Sequence, residues 1–258
     1  MFEWNANTVR FRRDAAEYVG FDEKIAGRIL PYLPQNASLC DGGCGLGYLS
    51  LALAPHCALV TAVDVSPAAL AVLRENAKGA GNLRVIQGDL FSMEPTGSME
   101  PTGSMEAMGP AEKYDCMVFC MFGSIEQILP AAQRQCGGKV FIIKKNWANH
   151  RFTLQERPLE RFTFRQACAG LDALGVPYQT EVFPLEMGQP FRTLEDAALF
   201  LRLYGGEEVT PAQAAARLVP TDSKEFPLYL PSQLPLGMIV LDAGDIPVTI
   251  NKKTGEKV

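Results

Sequence analysis

The residues best equipped for chemistry stand together at Asp41-Gly42-Gly43-Cys44-Gly45-Leu46-Gly47. A short apolar run, SLCDG, leads into this loop and a helical pattern follows it. That is the setting in which a glycine loop carries meaning. Glycines at 43, 45 and 47 let the backbone pass close to a ligand and take turns that a Cβ would block. The helix beyond offers free N–H groups and the positive end of its dipole to a carboxylate or phosphate. Two phosphate-binding patterns do not fit. A dinucleotide G-x-G-x-x-G counted from Gly43 meets Tyr48 where its third glycine belongs, and no Gly-Lys-Ser/Thr follows for a P-loop. Asp41 would set a negative charge against a pyrophosphate; it suits a ligand that presents an ammonium group.

Two further carboxylates extend the pattern. Asp64 lies 21 residues after Gly43, where a doubly wound fold uses an acid to accept hydrogen bonds from ribose hydroxyls. Asp89, in QGDLF, ends the next apolar run. Three strands thus finish with an acid at one edge of the sheet, the edge at which open α/β sheets bind ligands. Each feature has a plainer explanation: the glycines alone would make a tight turn, and Asp89 alone a strand-end cap. The combination of Asp41, the glycines and Asp64 argues for a binding loop. His150, in KKNWANHR past the fifth strand, is placed to see a substrate, whereas His56 follows Pro55 on a surface turn.

The elements that must hold these residues alternate. Residues 14–30 read as a helix stopped by Pro31, and 47–54 as another ended by Pro55. ALVTAVD (58–64), LRVIQ (83–87), YDCMVFC (114–120) and KVFII (139–143) are apolar and strand-like. Ser66-Pro67 opens a helix that stops near Gly79, and IEQILPAAQRQ (125–135) links two strands. Strand and helix in alternation imply βαβ units and a parallel sheet covered on both faces. After residue 150 the rhythm changes. A helix runs to Gly175, and VPYQTEVFPLEM forms a strand. TLEDAALFLRLYGG starts a helix at Thr193 with Asp196 in capping-box position, TPAQAAARL forms another, and LPLGMIVLDAG (234–244) is the last strand. The expected organisation is a helical segment over 1–34, an α/β core over 35–189, a helical lid over 190–232, and a last strand with its tail over 233–258. Residues 93–110 hold a tandem six-residue repeat rich in Pro, Gly and Ser, which forbids a regular element and predicts a mobile loop.

Composition narrows the function classes. Of 258 residues 47% are hydrophobic and 21% charged, as in a globular protein with a sizeable core. No run approaches the ~18 apolar residues of a membrane span, and the N-terminus lacks the pattern of a signal peptide. Seven cysteines, mostly in apolar runs or beside glycines, read as packed thiols and not as disulfides or a metal site, so a reducing, cytoplasmic location is expected. The net charge of −5 disfavours nucleic acid. The local basic clusters, Arg10/Arg12/Arg13 and Lys144/Lys145/Arg151, are small.

With these pieces in order, the chain resembles the class I S-adenosylmethionine-dependent methyltransferases. LCDGGCGLGYLSLAL, VTAVDVSPAALAVLRENA, LRVIQGDLF, YDCMVFC and KVFIIKK carry the likeness over residues 38–145. The resemblance implies a doubly wound, mostly parallel seven-stranded sheet of Rossmann-like type whose last strand is antiparallel, with a lid inserted before it. It implies S-adenosyl-L-methionine as cofactor. Asp41, Gly42, Gly43, Gly45 and Gly47 would hold its methionine end, Asp64 its ribose, and Val65, Asp89 and Leu90 its adenine. Cys120 and Met121 would face the sulfonium, and Tyr18 would reach the cofactor carboxylate. FCMFGS stands where amino-group enzymes acting on nucleic-acid bases or glutamine carry an Asn/Asp-Pro-Pro-aromatic tetrad, and it lacks the Pro-Cys of cytosine-C5 enzymes. The reading is therefore a methyltransferase acting on a small molecule. An RNA or protein methyltransferase, or a non-catalytic protein that binds the cofactor, is the alternative. Met121, Phe122, Trp147, Phe191 and Tyr204 are expected to line an apolar acceptor pocket, with Lys144, Lys145 or Arg192 as an anion contact. His150, Lys144 and Lys145 are the candidate catalytic groups.

Overall fold

In a computed structural model of the chain, residues 3–93, 113–159 and 163–248 are described. The repeat expected to form a loop lies outside them from residue 94 onward, as does the tail NKKTGEKV. The chain opens with α1 (Ala6–Val19) and α2 (Phe21–Ile29). These replace the single helix expected over 14–30, because Gly20 takes a left-handed φ of 62° and turns the chain between them. Then follow β1 (Ser38–Gly42), α3 (Tyr48–Leu53), β2 (Leu59–Asp64), α4 (Pro67–Asn76), β3 (Leu83–Gln87), β4 (Tyr114–Cys120), α5 (Ile125–Gln135), β5 (Cys136–Lys145) and α6 (Phe164–Leu174). The remainder is β6 (Gln179–Glu186), β7 (Gln189–Phe191), α7 (Leu194–Gly205), α8 (Pro211–Ala215), β8 (Val219–Pro220), β9 (Leu228–Leu230) and β10 (Gln233–Asp242).

Seven strands form one sheet in the order β3-β2-β1-β4-β5-β10-β6. The first five pair in parallel, and β10 runs antiparallel to both neighbours. This is the doubly wound, mostly parallel sheet expected from the sequence. Its strand order reverses between β1 and β4, and an open α/β sheet leaves a crevice beyond the carboxyl ends of its strands at such a switch.

The pleat sorts the side chains into two cores. Leu39, Val118, Phe141 and Ile143 point to one face and pack with Ile25, Ile29, Leu49 and Leu53 of α2 and α3. Cys40, Met117, Phe119 and Ile142 point to the other and meet Ile128, Leu129 and Leu171 of α5 and α6. Alternation of period two dictates this division.

The segment between β6 and β10 is not purely helical. Besides α7 and α8 it carries a three-stranded antiparallel sheet, β7-β9-β8. Its own core joins Phe191, Phe200 and Leu201 to Phe11 of α1, so the N-terminal helix packs with the insertion. Two ion pairs reinforce that contact. Arg10 pairs with Asp196 through two bonds of 2.9 and 2.7 Å, and Arg192 reaches buried Asp14 at 2.5 Å and Glu225 at 2.6 Å. Thr193 caps α7 through the Asp196 N–H at 3.1 Å, while the Asp196 carboxylate turns to Arg10.

Candidate functional site

The glycine loop closes on the end of β2. The N–H groups of Gly43 and Cys44 donate to the Val63 carbonyl at 2.8 and 3.1 Å. Gly45 N–H donates to Asp64 Oδ2 at 2.9 Å, and Asp64 Oδ1 accepts from Ser66 N–H at 2.8 Å. The loop and the acid thus share one edge, held by direct bonds. A carboxylate offers about four lone-pair sites, so Asp64 retains acceptor capacity beyond these two bonds.

The glycines are required where they stand. Gly47 has φ 76° and a Cβ there would lie 2.2 Å from Leu73 Cδ1 of α4. Gly43 has φ 69°, and a Cβ would meet the Phe122 ring at 2.3 Å. Phe122 in turn stacks on Phe91, with centroids 4.9 Å apart and planes within 9°. Over Gly45, a Cβ would stand 3.0 Å from the Trp4 ring. Two aromatic rings therefore roof the loop. The turn that carries Phe122 is itself constrained: Met121, without the freedom of glycine, has φ 54°, a conformation that persists only when its surroundings enforce it.

Asp41 is buried, and Ser50 Oγ donates to its Oδ2 at 2.5 Å. Burial raises its pKa to about 7 against the pull of that hydrogen bond, and the charges of Asp22 and Asp64 raise it further. Beside it, Arg12 Nη2 donates to both Asp22 oxygens at 2.6 and 2.8 Å, with its guanidinium 5.0 Å from the Tyr48 ring centroid. Arg12 Nη1 is buried and has no hydrogen-bond partner among the described residues. The sequence marked Arg12 only as part of a basic cluster. The fold singles it out.

Other expected site residues fall in different surroundings. Val65 is exposed beyond β2. Asp89 is exposed and Oδ1 accepts from Phe91 N–H at 3.0 Å, the turn-capping geometry of the plainer reading. Leu90 is buried in the α5 core, where Cδ2 lies 2.4 Å from the point a Gly42 Cβ would occupy. Gly42 thus admits Leu90. Tyr18 rests against Phe226 and Tyr229, with centroids at 5.7 and 5.4 Å. Cys120 and Met121, at the end of β4, pack against the α2 and α3 core, as does Trp147, and burial pushes the Cys120 thiol up to about 12.

Among the basic candidates, Lys144 is engaged internally. Its Nζ donates to the carbonyls of Phe122 and Gly123 at 2.6 and 2.5 Å, and burial lowers its pKa to about 8. Arg192 is held by Asp14 and Glu225, and Phe191, only 1% exposed, belongs to the insertion core. Phe191 is closed to a substrate, and the partly exposed Arg192 already has two carboxylate partners. Lys145 lies one residue on, facing the opposite side of the sheet from Lys144. His150 Nδ1 accepts from Phe152 N–H at 3.4 Å, and burial followed by the charges of Arg157, Lys145 and Arg151 lowers its pKa. All seven cysteines are free thiols.

Known structures share this architecture. The chain is similar to the YcgJ protein from Bacillus subtilis, with 13% identity, a TM-score of 0.50, and cover of 83% of this chain and 97% of that one. It is equally similar to a candidate methyltransferase from Bacillus halodurans C-125, with 15% identity, a TM-score of 0.50, and cover of 86% and 98%. At such identities the likeness shows the fold. No curated protein matches the sequence. Residues 39–135, which contain the glycine loop and the three strand-end acids, match the family described as a methyltransferase domain. Residues 39–135 therefore form a methyltransferase domain, set in a sheet whose fold these structures share.

Proposed function

We propose that the chain methylates a small, largely apolar molecule held between the carboxyl edge of the sheet and the insertion over 190–232. The observation that carries this reading is the bond between Gly45 N–H and Asp64, which makes the loop and the acid one cradle. Within it, Asp64 accepts from the donor's ribose hydroxyls and Asp41 receives its ammonium group. Arg12 Nη1, buried without a partner among the described residues, suits the donor's carboxylate. The residues thus fit a zwitterionic adenosyl amino acid. The left-handed backbone of Gly43, Gly45 and Gly47 gives the loop its tight turn under Phe122 and Trp4, and Val65 offers an apolar edge to the base. When bound, this donor would supply a methyl carbon activated by positive sulfur, open to displacement by an electron pair of the acceptor. The chain's own task is to orient both partners in line at ~3 Å and exclude water. Trp4, Phe122, Cys120 and Met121 are the apolar groups positioned for this.

A small acceptor is favoured over RNA because two of the three arginines of the cluster on α1 are engaged internally, Arg10 by Asp196 and Arg12 Nη2 by Asp22. Among the described residues no helix is long and apolar enough to cross a membrane. With free thiols throughout, we place the protein in the cytoplasm. The test is to incubate the protein with methyl-tritiated donor and a cell extract divided into small-molecule, RNA and protein fractions. Label is expected in the small-molecule fraction. Label confined to RNA or protein contradicts the reading, and donor binding without labelled product identifies a non-catalytic protein.

A further inference from the structure

We propose that Arg151 and Lys145 form an oxyanion subsite that selects a methyl acceptor bearing a carboxylate or phosphate on an apolar body. The proposal rests on the methyltransferase reading above and adds a substrate class to it.

The placement follows from the pleat. Asp41 shares the side of β1 with Leu39, and Cys120 shares the side of β4 with Val118, both facing the α2 and α3 core. On β5, Ile143 faces that core, and Lys145, two residues later, points the same way. Asp41, Cys120 and Lys145 therefore stand on one face at the carboxyl ends of three adjacent strands, with Lys145 on the side away from the donor's ribose. Arg151 joins them from the loop after β5. Its guanidinium lies 4.3 Å from the Phe152 ring centroid and 5.9 Å from that of Trp147, which packs against the same core as Cys120 and Met121.

Neither cation has an acid to itself. Arg151 Nη1 donates to Ser232 Oγ at 3.1 Å, and no carboxylate lies within ion-pair distance of it among the described residues. Lys145 Nζ makes no hydrogen bond or ion pair there. Glu186 is the acid whose charge acts on Arg151, and Glu207 acts on neighbouring His150 and Arg217. Glu186 Oε1 accepts from Tyr229 Oη at 2.6 Å, Ser232 N–H at 2.8 Å and Gly188 N–H at 2.9 Å. Glu207 Oε2 accepts from Leu154 N–H at 2.9 Å.

Burial lowers the pKa of Arg151 to about 10, against the opposing pull of Glu186, Tyr229 and Tyr204. Burial also lowers that of Lys145, and the charge of Arg151 lowers it further. Two cations withdrawn from water beside each other gain from an anion between them. The loop is braced to receive one: Arg217 donates to the carbonyls of Arg151, Phe152 and Thr153 at 2.5, 3.3 and 3.3 Å. A fork of fixed guanidinium donors over aromatic rings matches an oxyanion attached to a flat or apolar group.

The chain's two tryptophans sit at the two subsites, Trp4 over Gly45 and Trp147 beside Arg151. In Trp4→Phe protein saturated with S-adenosylhomocysteine, Trp147 emission would be titrated with benzoate, phenyl phosphate and neutral benzamide at constant ionic strength. Saturable quenching by benzoate or phenyl phosphate is expected, with benzamide at least about tenfold weaker, the worth of one charge-assisted bond. Whichever anion binds tighter names the group. Arg151→Gln should weaken it by about tenfold or more and Lys145→Gln by several-fold, with Arg151→Lys intermediate and the melting temperature of each variant recorded. Equal binding of benzamide, or anion binding unmoved by Arg151→Gln in a folded protein, overturns the proposal. So does a parallel loss of S-adenosylhomocysteine affinity in Arg151→Gln, which would assign the cation to the donor. Calorimetry of the wild type with S-adenosylhomocysteine reports separately on the methyltransferase reading, so the two failures are distinguishable.

Discussion

Asp64 Oδ2 accepts the Gly45 N–H at 2.9 Å, and through that bond the end of β2 sets the shape of the loop between β1 and α3. One carboxylate does two jobs. It satisfies two backbone donors, at Gly45 and Ser66, and faces the same crevice with its remaining lone pairs. If the donor's ribose also bonds to Asp64, as proposed, the conformation of the loop is coupled to occupancy of the site.

The buried acid at the end of β1 predicts a pH dependence. Raised from 3.8 to about 7, Asp41 holds its proton longer in the folded chain than in the unfolded one. It therefore favours folding at acid pH, and that contribution is lost as pH rises through about 7. An ammonium group beside it favours the ionised form, so affinity for S-adenosylhomocysteine should rise between roughly pH 6 and 8, by up to about tenfold per unit. Asp41→Asn should flatten both dependences. Urea melts from roughly pH 4 to 8 and calorimetry from roughly pH 6 to 8 check the signs, and an affinity that falls with rising pH contradicts the role.

Gly47 combines a left-handed backbone with a close approach. Gly47→Ala adds about 1–2 kcal/mol of backbone strain and about 1–3 kcal/mol of overpacking against Leu73. A loss of about 2–5 kcal/mol in urea melts is expected, whereas Gly79→Ala, with nothing within 4 Å of its Cβ, should lose only the backbone part.

Lys144 secures the turn after β4. Lys144→Met keeps much of the stem's packing but leaves the Phe122 and Gly123 carbonyls without their donor. The expected cost is about 1–3 kcal/mol. A second consequence separates anchoring from general support: with its turn released, Phe122 should cover Gly43 less firmly, so donor affinity should change along with stability. Unchanged affinity in a destabilised variant would assign Lys144 to packing alone.

Trp4 reports on the roof of the loop. In Trp147→Phe protein the remaining tryptophan lies over Gly45, and binding of S-adenosylhomocysteine should shift or quench its emission. An unaltered spectrum at saturation places Trp4 outside the site.

Much of this was legible in the residues themselves. Glycine spacing, acids at strand ends and two-sided apolar runs report local geometry, and the sheet follows from them. What the sequence hid depends on contacts between distant segments. Lys144 ends a run, KVFIIKK, that looks like a strand reaching water; it is buried because carbonyls 21 and 22 residues away accept its protons. Leu90 reads as a residue near the base, and only the fold shows that Gly42 leaves room for its side chain in the core. Phe191 and Arg192 resemble pocket residues, yet the insertion uses one for its core and the other to hold α1. The small sheet β7-β9-β8 escapes detection since strands of two or three residues carry no period. Arg12 reads as one of three arginines near the start of the chain, and only the fold leaves Nη1 buried without a partner among the described residues.

Titration calorimetry of S-adenosylhomocysteine into the wild type and Asp64→Ala, each checked for its fold by circular dichroism, probes the shared cradle most directly. The wild type should bind at a single site with a dissociation constant below about 1 mM, and the folded variant at least about tenfold more weakly. No heat from the wild type at millimolar ligand, or equal affinity in the two proteins, contradicts the assignment of the loop at 41–47 and Asp64 to one donor site.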